Sequence, residues 1–208
     1  MSEQLRFILV GVGAMKSPRY APAGLLVEYR AQRVMLDGGP GAEPAQPING
    51  WLVTDDHGEL MPKIRRLANA RGLKPAVSCF CSDGLVIAPK PVVHTSHPTY
   101  GYQIEAGGRR VVWAPEFLEF PEWAEGADLM FSEAAGWNRR IRFARGTGGH
   151  AATLQIAHDA RERGVRRLVF AHIGRPTIRA IDAGLQPPFG EMGNDGAVYI
   201  VPKAQADG

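Results

Sequence analysis

The chain has 208 residues, of which 45% are hydrophobic and 22% charged, so it can bury the core of a single domain over residues 1–208. Its net charge of +3 and pI near 9.0 permit an anionic substrate but do not indicate a nucleic-acid surface. No apolar run approaches the roughly 18 residues of a membrane span, and the N-terminal residues lack the features of a signal peptide, which predicts a soluble cytoplasmic protein.

The first half of the chain is rich in predicted strands. Their apolar runs cover residues 5–12, 24–29, 33–36 and 51–54. A short turn joins the second and third runs, and the sequence predicts an opening β-meander. A helix is predicted over 62–71, because a proline stands in its first turn and a glycine follows its end.

The rest of the chain alternates between strands and helix. Further strands are predicted over 76–80, 88–93, 101–105, 109–113, 129–132 and 167–171, and a helix over 151–163. The run at 88–93 is proline-rich and is typical of an edge strand. The runs at 101–105 and 109–113 form a hairpin. This order favours an α/β fold in which two sheets lie between helices.

Two short motifs do not predict a cofactor site. Gly11-Val12-Gly13 is not a dinucleotide fingerprint, because Lys16 stands where the third glycine belongs and Pro18 and Pro22 interrupt the required helix. Cys79 and Cys81 provide only two thiolate ligands, so a reduced structural pair on one face of a strand is expected.

Polar side chains follow several predicted strands. They are Asp37, Asp55, His57, Glu59, Glu116, Glu133 and His172. Open α/β folds bind ligands at the carboxyl ends of their strands, and imidazoles with carboxylates suit zinc, manganese or iron. The sequence therefore predicts a divalent-metal site.

Several segments occur in a characteristic order. They are Val10-Gly-Val-Gly13, Leu36-Asp37-Gly-Gly-Pro-Gly41, His94-Thr-Ser-His97 before Gly101-Tyr, Ser132-Glu133, Gly149-His150-Ala-Ala-Thr and Leu168-Val-Phe-Ala-His172. Over roughly residues 6–180 the chain thereby resembles the metallo-β-lactamase-fold hydrolases, closest to the branch of the phosphonate-pathway cyclic phosphodiesterases and ribonuclease Z. The resemblance implies a four-layer αβ/βα sandwich and metal-dependent hydrolysis of a small phosphodiester. It also implies that Asp37 orients the metal loop.

The metal motif departs from that of the family. Where the family has Thr-His-x-His-x-Asp-His, this chain reads Thr54-Asp55-Asp56-His57-Gly58-Glu59-Leu60, so one of the three histidines remains. The family's bridging aspartate is replaced by Glu116, with Glu119 and Glu122 as alternatives.

The resemblance then implies two sites for one or two ions. The first takes Asp55, His57, His94 and Glu116, with His94 fitting the family spacing better than His97. The second takes Glu59, Glu116 and His172 and has lost one donor. The added carboxylate shifts the preference from zinc toward manganese. Glu59 is expected to act as the base toward water, and His150 with Glu133 to protonate the leaving group or bind a phosphoryl oxygen.

The candidate site residues also fit structural roles and other functions. Asp55 and His57 are also suited to capping the turn before the helix without any metal, and His150 to a hydrogen bond at a helix start. Two other functions fit the same residues: an impaired enzyme that binds a small anion or a protein partner, and a hydrolase of lactones, esters or thioesters.

Partners are only weakly indicated. A basic cluster is formed by Arg139, Arg140, Arg142 and Arg145. Because the sequence contains no recognisable extension that would bind RNA, a nucleic-acid partner is disfavoured. The expected ligand is a small anionic molecule. Trp51, Trp123 and Trp137 are candidates for a homodimer surface.

Overall fold

The structure is a computed structural model that describes residues 4–144 and 148–202. Its elements in chain order are β1 (Leu5–Gly11), β2 (Gly24–Tyr29), β3 (Gln32–Asp37), β4 (Gly50–Leu52), α1 (Met61–Asn69), β5 (Phe80–Ser82), β6 (Leu85–Val92), β7 (Thr99–Ala106), β8 (Arg109–Ala114), a 3-10 helix (Glu122–Ala124), β9 (Leu129–Ala134), β10 (Ile141–Arg142), β11 (Gly149–His150), α2 (Thr153–Glu162), β12 (Leu168–Ile173), α3 (Arg175–Asp182), β13 (Glu191–Met192) and β14 (Val198–Val201).

Two large sheets contain most of these strands. One sheet has the order β14-β1-β2-β3-β4 and the other the order β13-β12-β9-β8-β7-β6-β5, while β10 and β11 form a separate ribbon. The predicted meander is confirmed, because β1, β2 and β3 pair antiparallel in sequence. The predicted hairpin is β7–β8, whose turn uses Gly107 and Gly108 at φ 57° and 72°, as a tight two-residue turn requires.

Side-chain alternation lets the first sheet contribute to two apolar clusters. Leu25 and Val27 of β2 belong to the large core between the sheets, together with Trp113 of β8. Leu26, between them, joins a second cluster on the opposite face, as does Met35 of β3. Successive strand residues point to opposite faces, so one apolar strand serves both clusters.

Helices cover the outer faces of the two sheets. Met61, Ile64 and Ala68 of α1 belong to the cluster that contains Leu26 and Met35, while α2 packs against β9 and β12 and contributes Ile156 to the main core. The layers are therefore helix, sheet, sheet, helix, and the predicted αβ/βα sandwich is confirmed. None of the helices in the described ranges is long and apolar enough to span a membrane.

The segment predicted as a strand over 76–80 is mostly a connection. Ala76 makes an isolated bridge to Leu52 in the first sheet, and β5 begins only at Phe80 in the second sheet. Because the segment crosses from one sheet to the other, it cannot pair along its length with either one. Cys79 and Cys81 are free thiols and both are exposed.

The proline-rich strand is an edge strand over part of its length. β6 lies between β5 and β7, but β5 pairs only with the stretch from Leu85 to Ile87. Pro89 and Pro91 lie beyond the end of β5, so their missing N–H groups break no ladder on that side.

Sequence patterns gave no indication of the elements after residue 173. These elements are helix α3 and strands β13 and β14, of which β14 is an edge of the first sheet and β13 an edge of the second. The polar end from Ala204 onward lies outside the described residues. Trp51 is 2% exposed and its indole N–H donates to the carbonyl of Asp37 at 2.8 Å. It therefore does not belong to a surface patch.

Phe131 joins the cores of the two sheets and provides a test of the packing. Its ring centroid lies 5.5 Å from Phe7 and 5.3 Å from Tyr199 of the first sheet, and 6.2 Å from Trp113 of its own sheet. We expect Phe131→Ala to lower the free energy of unfolding in urea by about 3–5 kcal/mol. The control Val198→Ala, at a side chain 47% exposed, should change it by less than about 0.5 kcal/mol; equal losses would contradict this packing.

Candidate metal and acid–base site

A cavity of about 700 Å³ opens at the carboxyl ends of several strands. The loops that follow β1, β3, β4, β6 and β8 form its walls. The side chains that carry chemistry there are Asp37, Asp55, His57, Glu59, His94, His97, Glu116, His150 and His172, with Lys16 and Lys63. This is where the sequence places its ligand candidates, because open α/β sheets hold ligands at these ends.

Asp37 fixes the loop that carries Asp55. Its Oδ1 accepts hydrogen bonds from the backbone N–H and the hydroxyl of Thr54 at 2.7 and 2.9 Å. Its Oδ2 accepts one from the indole N–H of Trp113 at 2.7 Å. Burial raises the pKa of Asp37 to about 6, although these donors favour the ionised form. Both oxygens are committed to the protein, which supports the orienting role implied by the resemblance.

Asp55, His57 and His97 form one group of potential metal ligands. A ligand atom of each lies within 4.8 Å of those of the other two. Nε2 of His97 is 2.9 Å from the Asp55 carboxylate, and the His57 and His97 rings are 5.2 Å apart. The His57 side chain is 71% exposed and that of Asp55 13% exposed, so the group lies at the cavity mouth.

The chemistry of this group fits a divalent metal. Two imidazoles and a carboxylate are a common donor set for zinc and neighbouring ions. Catalytic sites commonly use three protein ligands and leave a position open. Asp55 also accepts a hydrogen bond from the backbone N–H of His57 at 2.8 Å. It thus stabilises its own turn, while the residue that precedes α1, Leu60, makes no side-chain cap bond.

His94 lies deeper, beside the ribbon formed by β10 and β11. Its Nδ1 donates to the carbonyl of Gly149 at 2.9 Å, and the N–H of Gly149 donates to the carbonyl of His94. A Cβ at Gly148 would lie 1.9 Å from the carbonyl oxygen of His94. The close approach of these two backbone segments therefore requires glycine at position 148. Burial lowers the pKa of His94, and the neutral ring presents Nε2 to the cavity.

Glu116 lies between His94 and His172. Its Oε2 is 3.7 Å from Nε2 of His94 and its Oε1 is 3.2 Å from Nδ1 of His172. Nδ1 of His172 donates to the carbonyl of Pro115 at 2.8 Å. Burial raises the pKa of Glu116 to about 8 and lowers that of His172 to about 4. His172 has a left-handed backbone, φ 53°, a strain that functional sites often carry.

Glu133 and His150 form a buried acid–base pair. Nδ1 of His150 lies 2.7 Å from Oε2 of Glu133, which also accepts from the N–H of Phe117, while Oε1 accepts from the N–H of Ala135. Burial works against the protonated ring, but the Glu133 carboxylate outweighs it and raises the pKa of His150 above its ordinary value. Burial also disfavours the Glu133 carboxylate, yet His150 keeps the pKa of Glu133 below its usual range.

The Glu133–His150 pair fits a metal less well than the group at the mouth. Glu133, His150 and His172 also have ligand atoms within 4.8 Å of one another. Glu133, however, already accepts three hydrogen bonds from the protein. The arrangement is therefore better suited to holding and moving a proton.

The structure regroups the residues predicted from the sequence. His97, rather than His94, joins Asp55 and His57, and His94 joins Glu116 and His150, the two histidine rings being 4.8 Å apart. Glu59 is exposed at the cavity rim and belongs to neither ligand group formed by the described residues. Leu60 packs against the outer apolar cluster.

Other contributors carried little or no signal in the sequence. Phe143 packs edge-on against His94 and His150, with ring centroids 5.3 Å away in both cases, and Pro115 and Gly149 act through backbone carbonyls. Of the basic cluster, Arg139, Arg140 and Arg142 are exposed, and Arg145 lies outside the described residues. His97 is visible in the sequence, but its partner depends on the path of the loop between β6 and β7.

Comparison with known proteins identifies this architecture. A family model described as the beta-lactamase superfamily domain matches residues 46–173. A diphosphatase from the PhnP family has a TM-score of 0.73 and 16% identity, covering 95% of this chain and 97% of that one. Human tRNase Z, short form, gives 0.68 and 14%, covering 95% and 99%. Zn(2+)-bound PqqB from Methylobacterium extorquens gives 0.66 and 14%, covering 93% and 99%.

These likenesses establish the fold but not a shared substrate, because each identity is low. Among curated proteins, none matches the sequence.

The raised pKa of Asp37 predicts a pH-dependent stability. The pKa of about 6 in the folded protein lies above the ordinary value of 3.8, so the folded state binds the proton more tightly than the unfolded chain. This contribution to the free energy of unfolding is fully present below pH 3.8 and is lost as the pH rises through 6. We expect the difference in unfolding free energy between wild type and Asp37→Asn to fall by about 2–3 kcal/mol between pH 4 and pH 7. Urea melts across this range measure it. Glu162→Gln, at an exposed side chain of α2, is the control; a constant difference for Asp37→Asn would refute the assignment.

Proposed function

Because the chain belongs to the beta-lactamase superfamily, we propose that it is a metal-dependent hydrolase of a small phosphodiester, with one divalent ion held by Asp55, His57 and His97. The observation that carries the proposal is that this ligand group and the buried Glu133–His150 pair serve one cavity. The ligand group can bind a metal ion that acts as a Lewis acid, and the Glu133–His150 pair can hold a proton for the leaving group. Together they are the minimum set for displacing an alkoxide from phosphorus.

A single ion is favoured over two. At the second site of the family, Leu60 provides no donor and its side chain packs against the outer apolar cluster. Glu59 is exposed and belongs to neither ligand group within the described ranges. Of the remaining residues, His172 donates to the carbonyl of Pro115 and lies 3.2 Å from the Glu116 carboxyl group.

The residues of the chain divide the chemistry between them. When bound, a divalent ion lowers the pKa of an attacking water to about 7 and stabilises charge on phosphoryl oxygens. His150 donates a proton from its ring to the departing oxygen, and Glu133 stabilises the protonated ring until that step. The apolar and aromatic wall that includes Phe143 limits water around the leaving group.

The similar structures support phosphate chemistry. One is a diphosphatase and another a tRNase Z, and in this chain the cavity wall contains two lysines suited to an anion. A phosphodiester therefore takes precedence over lactone, ester or thioester substrates. A substrate panel containing all of these classes compares them directly.

A second function is favoured by the loss of the histidine at position 60. With an apolar side chain there, the cavity is also suited to binding a small anion or a protein partner without hydrolysis. This function predicts a ligand-dependent rise in Tm without turnover of any panel substrate under added zinc or manganese. Turnover that is lost in His57→Ala would exclude it.

Metal content tests the ligand assignment. We expect the protein loaded with zinc or manganese and desalted to retain about one ion per chain. His97→Ala should lose most of it, because one of three ligands is removed. His94→Ala is the matched control, since it removes a neighbouring imidazole outside the group and should retain the ion. Plasma mass spectrometry measures both; retention in His97→Ala with loss in His94→Ala would overturn the assignment.

The acid role of His150 is tested with two leaving groups. A nitrophenolate departs without help, whereas an alkoxide needs a proton. We expect His150→Ala to lower kcat about 10²–10⁴-fold on an alkyl phosphodiester and far less on bis(4-nitrophenyl) phosphate, with metal content unchanged. Glu133→Gln should shift the rates in the same direction. Equal losses on both substrates would show that His150 does not donate this proton.

A further inference from the structure

The loop between β1 and β2, residues 12–23, forms a wall of the cavity. We call it the cavity loop. Gly13, Met15, Lys16 and Tyr20 are among its lining residues. This wall faces the cavity without belonging to either group of metal-ligand candidates, so its role is separate from holding an ion or moving a proton.

A single carboxylate fastens both ends of the cavity loop. Asp195 accepts a hydrogen bond from the N–H of Val12 on Oδ1 at 2.9 Å and one from the N–H of Ala21 on Oδ2 at 2.8 Å. Asp195 itself lies in a turn held on β1, since the N–H of Gly196 donates to the carbonyl of Leu9 at 2.7 Å. A residue 174 positions beyond Ala21 thus sets the path of the loop.

The cavity loop is also joined to the strand end that carries His172. The N–H of Ile173 donates to the carbonyl of Val12 at 2.6 Å, and the N–H of Ala14 donates to the carbonyl of Ile173 at 3.1 Å. The base of the loop is therefore rigid relative to the catalytic end of the sheet. Lys16, further along, has a left-handed backbone with φ 54°, which a non-glycine residue adopts where its surroundings impose it.

The charge of the cavity favours a positive side chain in its lining. Its lining includes four carboxyl groups, Asp37, Asp55, Glu59 and Glu116. Burial raises the pKa of Glu116 to about 8, but those that are ionised at neutral pH repel an anionic substrate unless positive side chains offset their charge. Lys16 is exposed and makes no ion pair with the residues that the structure describes, so its ammonium is available to a ligand.

We propose that Lys16 binds the non-bridging phosphoryl oxygens of the substrate, and that Asp195 is the positioning residue that holds the cavity loop so that Lys16 faces the ligand group. The inference rests on the proposed function for its substrate class. It assigns substrate affinity to a loop outside the metal and acid–base machinery. The expected consequence is a KM effect with little change in kcat.

The first test replaces Lys16 and a matched surface lysine. We expect Lys16→Met to raise KM for bis(4-nitrophenyl) phosphate about tenfold, as for one lost charge-assisted hydrogen bond, with kcat and metal content unchanged. Binding of inorganic phosphate, measured by calorimetry on the metal-loaded protein, should weaken by a similar factor. Lys74→Met, at an exposed lysine outside the cavity lining, should change neither. An unchanged KM and phosphate affinity in Lys16→Met would overturn the proposal.

The second test concerns the positioning role. Asp195→Asn keeps the side-chain shape, but an amide has one acceptor oxygen and cannot accept from both Val12 and Ala21. We expect KM to rise about fivefold, as for one lost hydrogen bond, with faster hydrogen exchange confined to the cavity loop and kcat unchanged. Asp159→Asn on α2 should leave KM and exchange in that loop unchanged. A lower Tm for Asp195→Asn with wild-type KM would show that Asp195 is only structural.

The two proposals fail in different ways. If wild-type protein hydrolyses no phosphodiester but its phosphate affinity still depends on Lys16 and Asp195, the proposed reaction is wrong and the anion subsite is retained. If hydrolysis is robust and KM is insensitive to both residues, the reaction is retained and the subsite is wrong.

Discussion

The carboxylate of Asp37 joins three parts of the molecule on which the cavity depends. It ends β3 in the first sheet, accepts a hydrogen bond from Trp113 of the second sheet, and accepts two from Thr54 directly before Asp55 in the loop between β4 and α1. Both sheets and this loop are therefore fixed relative to one another at one point. The loop needs such a point because it has no regular secondary structure between β4 and α1.

Each interior histidine is held in a similar way, by a hydrogen bond at its Nδ1. Nδ1 of His94 and of His172 donates to a backbone carbonyl, and Nδ1 of His150 bonds to Glu133. A fixed partner on one ring nitrogen sets the orientation of the ring and leaves the other nitrogen for ligands or substrate. The partner's charge makes the difference. Beside a neutral carbonyl, burial lowers the pKa of His94 and of His172, whereas the Glu133 carboxylate raises the pKa of His150.

Periodicity and turn chemistry were sufficient to predict the layers, because alternating and helical patterns report burial directly. They gave less information about the site. Which of His94 and His97 reaches Asp55 depends on the path of a loop, and no local pattern records that path. Likewise, Asp195 is an exposed residue in a turn whose partners lie 174 and 183 positions away. Contacts of that range are set by topology, which a single sequence does not state.

Leu60 stands at the position where the family's metal motif has its last histidine. In the family motif a histidine there points to a second ion, whereas Leu60 joins the apolar cluster beneath α1. Leu60 is half-buried against that cluster and also lines the cavity. Its contact with the core gains free energy from leaving water and holds the C-terminal end of the loop between β4 and α1, while Glu59 stays at the rim. With no donor at this position, His172 donates to the carbonyl of Pro115, and Glu116 lies between His94 and His172. In the proposed reaction the interior groups therefore hold the proton, and lysines of the cavity wall offset the charge of an anion.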